Sequence, residues 1–281
     1  MNDNKQVAVI TGAASGIGLA LAKICLQKQM HVVMADRAEE SLLAQVKALG
    51  HQATTEIISV VCDVSQQDDV RRLAECSINH FKHIDLLINN AGISGRLAPV
   101  WELPAAEIHQ VLDVNLFGVI YGVQAFLPYM LQQRCSSHIV NMASLYGLCS
   151  GSNLSAYAMS KQAVIALSEA LYFDLQAVNQ SVYVSVVCPS FVSTKLLVNS
   201  FSSNSDSVHK KMMGLMERSR PVEEVAQHIM NEIDKKTFYI LPDKEVKDYC
   251  TQRTQAIIDQ TMPYEHNLEK IMKALMKRNI L

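Results

Sequence analysis

A doubly wound α/β fold on a parallel sheet is the architecture this 281-residue sequence predicts. Two observations carry that expectation. Short, continuous, β-branched apolar runs recur along the chain, as strands buried on both faces require. Each run is followed by a longer stretch of helical period, the alternation that produces parallel strands with crossover helices.

The elements follow in order. "QVAVIT" (6–11) is the first strand, and the glycines after it lead into the helical pattern "GLALAKICLQKQM". "HVVMAD" (31–36) is a strand and "AEESLLAQVKALG" a helix closed by Gly50. "IISVVCDV" (57–64) and "QQDDVRRLAECSINHF" repeat the pair, and "IDLLINNAG" ends a fourth strand in a polar, glycine-terminated loop. A helical zone runs from about 104 to 134, then the strand "HIVNMAS", a helix from about 154 to 178, and the strands "VYVSVVCP" and "TFYILP". This reads as one domain over 1–242. A serine-rich segment, "NSFSSNSDSVHK" (199–210), follows a strand end, which makes about 193–217 a lid candidate. Residues 243–281 form a helical extension that Pro263 breaks in two.

Composition narrows the class. With 49% hydrophobic and 19% charged residues the chain is neither disordered nor a coiled coil. A net charge of −2 gives no electrostatic reason to expect nucleic acid or an anionic membrane. The seven scattered cysteines show no C-x-x-C spacing, so they read as small buried hydrophobes in a reducing compartment, not a disulfide frame or metal site. The N-terminus has no long apolar segment and no apolar run approaches 18 residues, so a cytoplasmic protein without stable membrane insertion is expected.

"TGAASGIG" (11–18) joins the first strand to the first helix with the spacing G-x-x-x-G-x-G. Alone, such glycines mark a tight turn. Between strand and helix they let the backbone approach a pyrophosphate at a helix N-terminus. Asp36 ends the second strand, where a carboxylate can accept both hydroxyls of an adenosine ribose and repel a 2′-phosphate. It can equally cap the helix that starts near Ala38. Arg37 could bind a 2′-phosphate or stack on adenine, whereas Ser15 in the glycine loop is not basic. The balance favours NAD over NADP.

Together, "TGAASGIG", "CDV" (62–64), "NNAG" (89–92), "VN" (114–115), "NMAS" (141–144), "YAMSK" (157–161) and "CPSFVST" (188–194) have the order and spacing of the short-chain dehydrogenase/reductases, a family this chain resembles over roughly residues 5–242. The resemblance implies a seven-stranded Rossmann sheet and a nicotinamide cofactor. It places Gly12, Ser15, Gly16, Ile17 and Gly18 at the pyrophosphate side. Asp36 would bind the ribose, with Arg37 beside it, and Asp63 and Val64 would face adenine. Asn90, Ala91 and Gly92 would back the cofactor, and Pro189, Val192 and Thr194 would meet the nicotinamide side. The family's catalytic tetrad falls on Asn115, Ser144, Tyr157 and Lys161. Ser190 departs from the pattern, where glycine usually follows the proline.

Hydride transfer at a carbon requires a proton to move at the attached oxygen. A tyrosine has a pKa of about 10, and bringing it to about 7 takes roughly 4 kcal/mol. A positive charge about 4 Å away supplies about that much at an effective dielectric of 20. Tyr157 and Lys161, at i and i+4, share a helix face that permits such an approach. Ser144 would hold the substrate oxygen as charge develops. By the resemblance, Lys161 would also bind the nicotinamide ribose, and Asn115 would hold a water linking Lys161 to solvent. In isolation, Tyr157 and Lys161 read as helix surface, Ser144 as a turn residue and Asn115 as a helix irregularity.

The expected pocket, from residues 93–97, 145–154, Phe191 and the lid, carries Leu145, Leu148, Leu154, Leu196, Leu197, Met212 and Met213, with a hydroxyl from Tyr146. It suits a hydrophobic secondary alcohol or ketone that is alicyclic, steroid-like or acyl-derived. The methionines and leucines could equally pack the lid. The extension could pack on its own domain, on another subunit, or over the pocket mouth. A homodimer or homotetramer is expected, since related enzymes pair the two long helices. A catalytically silent NAD(H)-binding sensor or scaffold is the reading of another class.

Overall fold

Seven parallel strands make one sheet: β1 (Val7–Thr11), β2 (His31–Asp36), β3 (Ile57–Val61), β4 (Leu86–Asn89), β5 (Ser137–Met142), β6 (Val182–Val187) and β7 (Tyr239–Ile240). Their order is β3-β2-β1-β4-β5-β6-β7. The structure is a computed structural model, and it describes residues 5–51, 53–133, 135–178, 181–190, 192, 220–267, 269–270 and 273. The helices are α1 (Gly16–Gln27), α2 (Glu39–Gly50), α3 (Gln67–Phe81), α4 (Ala105–Leu112), α5 (Gly118–Gln132), α6 (Ser155–Val178), α7 (Val222–Asp234) and α8 (Lys244–Ile258).

The continuous apolar strands have a direct cause in the two cores. Ala8, Ile10, Val32, Met34 and Ile88 point to the face covered by α1, α2 and α7. Their neighbours Val7, Val9, Val33, Ala35 and Leu87 point to the face covered by α3, α5 and α6. Because successive side chains alternate and both faces are covered, apolar residues are favoured at every position of these strands. Fully buried residues such as Phe126 and Leu87 each contribute roughly 1.5–3 kcal/mol by leaving water.

Several boundaries differ from the sequence expectation. The third strand stops at Val61, and Cys62–Val64 belong to a loop in which Asp63 Oδ1 accepts the Ser65 N–H (3.0 Å). The zone expected over 104–134 is α4 and α5 joined by a π-helical turn, Asp113–Phe117. The combined helix is long and apolar enough to span a membrane by length and composition. Here Val114, Phe126 and Met130 pack it into the core beneath the sheet. The cysteines also divide: Cys25, Cys62, Cys149 and Cys188 are buried as expected, but Cys76 and Cys135 are exposed.

Small residues let α5 lie close on β4. A Cβ on Gly122 would land on the side-chain oxygen of Asn89. That amide starts a buried chain in which Asn89 Nδ2 donates to Asn141 Oδ1 (2.9 Å) and Asn141 Nδ2 donates to Ser168 Oγ (3.0 Å). Gly122→Ala is therefore expected to destabilise the fold by ~1–3 kcal/mol through overpacking. The measurement is a urea midpoint, which should fall with the m-value unchanged.

Beyond β7, the described part of the extension lies on its own chain. Val246 of α8 is fully buried in the cluster that also contains Leu154 and Tyr157. The helix ends at Ile258 and the chain turns at Gln260 (φ 54°), before Pro263 is reached. The expected lid segment, about 193–217, lies outside the described residues. At its two stems, Val192 and Arg220 form a parallel bridge.

Candidate active site

The strand order reverses between β1 and β4, which opens a crevice at the carboxyl ends of the strands. Gly12 (φ 65°) and Gly16 (φ 55°) take left-handed backbone there, which glycine adopts without a Cβ penalty. A Cβ on Gly12 would come within 2.9 Å of the Ala91 Cα, and one on Gly18 would land on the Gly12 carbonyl. Gly18 thus serves packing of α1 on the loop and does not line the cleft. The loop after β4 is tied to the same place. Thr11 Oγ1 accepts the N–H groups of Asn90 (3.0 Å) and Ala91 (3.1 Å), and Asn90 Nδ2 donates to the Thr11 carbonyl (2.9 Å).

No side chain caps the start of α1, and no acidic residue stands in its first turn. Its free N–H groups and positive dipole end therefore face the cleft ready for an anion. At the end of β2, Asp36 Oδ2 accepts the Ala14 N–H and Oδ1 the Ala38 N–H, both at 3.0 Å. The carboxylate is held at the mouth of the glycine loop, and its bond to the N–H of Ala38, the N-cap residue of α2, ties it to the helix start as well. This cradle of positive-φ glycines, free helix N–H groups and a fixed carboxylate fits a dinucleotide.

The other half of the cleft comes from β5 and α6. Ser144, just beyond β5, accepts the Tyr146 N–H at Oγ (3.3 Å), and its hydroxyl lies near enough to Tyr157 to pull the phenol's pKa down. Tyr157 and Lys161 sit on successive turns of α6, both buried. Lys161 Nζ donates to the Met142 carbonyl (2.8 Å) and lies 5.8 Å from the centre of the Tyr157 ring.

Burial raises the Tyr157 phenol above its ordinary pKa, and the Ser144 hydroxyl works against that rise. Burial also lowers Lys161, to about 8. The direction at Tyr157 is the reverse of the sequence expectation. Charge arithmetic over 4 Å left out desolvation, which acts here on both partners at once.

Asn115 occupies the π turn and is fully buried behind the cleft wall. Its Nδ2 donates to the Ile93 carbonyl (2.8 Å) and to Ser160 Oγ (3.0 Å), and its Oδ1 accepts the Ile93 N–H (2.8 Å). Both amide hydrogens are committed. A Cβ on Gly92 would sit 3.2 Å from Asn115 Oδ1 and 3.5 Å from Lys161 Nζ. The absent side chain of Gly92 leaves open the gap those two groups border.

These loops enclose a cleft of about 480 Å³, within the usual range for small-molecule sites. It is lined by Gly12, Ser15, Gly16, Ile17, Asp36, Arg37, Asp63, Val64, Asn90, Ala91 and Gly92 at one end. Ser144, Tyr157, Lys161, Pro189, Ser190 and Val192 line the other. Thr194, Phe191, Leu196, Leu197, Met212 and Met213 lie outside the described residues. Of the expected pocket leucines, Leu145 and Leu154 reach the cleft, while Leu148 packs in the cluster behind it. Ser190 donates its N–H to Asp243 Oδ2 (2.9 Å), whose Oδ1 takes a hydrogen bond from Arg220 Nη1 (3.2 Å).

Thr11, Gln110 and Ser160 were not anticipated. Gln110 lines the cleft from α4, and Ser160 links Asn115 to the Tyr157 carbonyl (2.7 Å). A polar residue on the inward face of α6 was the available sign for Ser160.

A family model described as short chain dehydrogenase matches residues 6–205. The chain belongs to the short-chain dehydrogenase/reductase family. Along 97% of its length it is 29% identical to a CLA biosynthesis dehydrogenase/reductase of Lactiplantibacillus plantarum, all of which is covered. It is 36% identical to a 1-deoxy-11-beta-hydroxypentalenate dehydrogenase of Streptomyces avermitilis, over 70% of this chain and 72% of that one. Among solved structures, a short-chain dehydrogenase/reductase from Burkholderia phymatum in complex with NAD superposes with a TM-score of 0.87. That protein is 32% identical, with 95% of this chain and 99% of the other covered. As a member of the family, this protein is a nicotinamide-dependent oxidoreductase that moves a hydride between the cofactor and a secondary alcohol or ketone.

Proposed function

We propose that the protein interconverts a hydrophobic secondary alcohol and its ketone with NAD(H), and that Tyr157 is the general acid and base. The observation that carries this reading is the buried meeting of the Ser144 and Tyr157 hydroxyls beside Lys161, at the end of the cleft opposite the glycine cradle. The nicotinamide, when bound, supplies or takes the hydride. Tyr157 gives a proton to the substrate oxygen during reduction and takes it during oxidation. Ser144 holds that oxygen in place while charge develops on it. Lys161 keeps a positive charge near the phenol and binds the ribose. Asn115 braces the 93 segment through both the oxygen and the nitrogen of its side-chain amide.

Support for the substrate class comes from Leu145, Tyr146 and Leu154 lining the cleft and from the pentalenate relative, whose name is that of a hydroxyl dehydrogenase. Exposed aromatics on the long helices, Tyr129 of α5 and Tyr172 and Phe173 of α6, support a homodimer or homotetramer. The unpaired cysteines support a reducing, cytoplasmic setting.

The test is NADH formation from a panel of alicyclic, steroidal and long-chain secondary alcohols. No saturable turnover of any of them would refute the reading. The preference for NAD rests on the fixed Asp36 carboxylate, which accepts from a ribose and repels a 2′-phosphate. Asp36→Ala is expected to weaken NADH binding by about 10–100-fold, the loss of a charge-assisted hydrogen bond, and to improve NADPH relative to it. Fluorescence titration of both cofactors measures this, and wild-type preference for NADPH would overturn it.

A further inference from the structure

The extension reaches the chain segment between the cleft residues Tyr146 and Leu154 through two buried polar side chains, His266 and Glu269. Glu269 Oε2 accepts the Ser152 N–H at 2.8 Å. His266 Nδ1 accepts the Glu269 N–H at 3.1 Å, so the ring proton is on Nε2, which donates to the Ser150 carbonyl at 2.9 Å. The imidazole also stacks on Tyr249 of α8, with ring centres 4.8 Å apart. Two side chains of the extension thus grip the backbone of 150–152 on either side of Gly151. That glycine is required by the grip: a Cβ there would come within 2.9 Å of Glu269 Oε2 and 3.0 Å of Tyr146 Cε1.

The gripped stretch lies between Tyr146 and Leu154, both lining the cleft. The next residue, Asn153, has left-handed backbone (φ 62°), and its carbonyl accepts the Ala98 N–H at 3.2 Å. Ala98 belongs to the segment that follows Ile93–Gly95 on the opposite wall of the cleft. A displacement at 150–152 is therefore passed to both walls. The nicotinamide cradle and the Ser144–Tyr157–Lys161 group are held by other bonds.

We infer that His266 and Glu269 are positioning residues, a clamp by which the C-terminal extension sets the shape of the alcohol pocket without taking part in proton or hydride transfer. This inference rests on the function proposed above. Glu269 acts as a hydrogen-bond acceptor, so Glu269→Gln, which keeps an acceptor oxygen, preserves the clamp and Glu269→Ala breaks it.

The experiment combines amide hydrogen exchange with steady-state kinetics on the full chain. In Glu269→Ala, exchange at the Ser152 amide is expected to accelerate about tenfold, and the KM for the best alcohol of the panel to rise about tenfold. The kcat, NADH affinity and exchange in the sheet should stay as in the wild type, and Glu269→Gln should restore both Ser152 protection and KM. His266→Ala should reproduce the KM effect. Unchanged Ser152 protection or KM in Glu269→Ala, a matching fall in kcat and NADH affinity, or failure of glutamine to rescue would each overturn the clamp. If no alcohol is turned over, the proposed function fails on its own, and the exchange at Ser152 still decides whether the clamp exists.

Discussion

Replacing Tyr157 with phenylalanine is expected to lower kcat for alcohol oxidation by ~10²–10⁴-fold, the usual contribution of a positioned general base. The substitution removes one hydroxyl and little else. The ring packs in the cluster around Leu145 and Leu154 and meets Tyr146 edge-on, with centres 6.1 Å apart, contacts that phenylalanine keeps. NADH affinity and the urea midpoint should therefore hold, and a residual rate should survive because Ser144 still positions the oxygen. Undiminished turnover in Tyr157→Phe would sink the mechanism. The pH profile supplies a second check with a definite sign. Burial holds the Tyr157 phenol above its ordinary range, so it is protonated through neutral pH. Ketone reduction, which consumes the protonated form, should keep its rate from acid to neutral pH and fall in alkali. Alcohol oxidation should rise with pH over the same range. Opposite slopes would assign the proton to another group.

The same tyrosine shows what could be read in the chain and what could not. The strands were legible because burial on both faces leaves a continuous β-branched run, as in "HVVMAD". The glycine loop was legible because positive φ and close approach both demand glycine at Gly12 and Gly16. Distances along one helix face were legible too, since Tyr157 and Lys161 are a single turn apart. The direction of the Tyr157 shift was not, because desolvation comes from residues distant in the chain, among them Val246 of α8. Nor did spacing reveal the π turn at Asp113–Phe117, a single turn inside a long run of helical pattern. The hold of Glu269 on Ser152 joins residues 117 positions apart, and no local pattern encodes such a bond.

Lys161→Met is the second large effect, and it separates what the site needs from what the fold prefers. Loss of the ammonium should reduce kcat by about 10²-fold or more, since it removes the charge beside the proton-transfer group. Stability should move differently. The fall of Lys161 from 10.5 to about 8 corresponds to about 3 kcal/mol in favour of the neutral amine. Below pH 8 the side chain is charged in both folded and unfolded chains, and the folded state carries that cost in full. Between pH 8 and 10.5 the unfolded chain binds more protons than the folded one, so this group raises stability as pH increases. Methionine has no such titration. Wild-type stability measured relative to Lys161→Met is therefore expected to climb by about 3 kcal/mol across that window. The buried thiols of Cys25, Cys62, Cys149 and Cys188, pushed up to about 12, act in the opposite sense in alkali. Those of Cys25, Cys62 and Cys149 are common to both proteins and cancel in the difference, whereas Cys188 and Lys161 each shift the other, so the Cys188 contribution changes with the substitution. Urea unfolding of the pair at intervals from pH 7 to 10.5 measures it, and a flat difference would show that Lys161 is not held against its charge. A rising one identifies a cation retained for chemistry at the expense of stability.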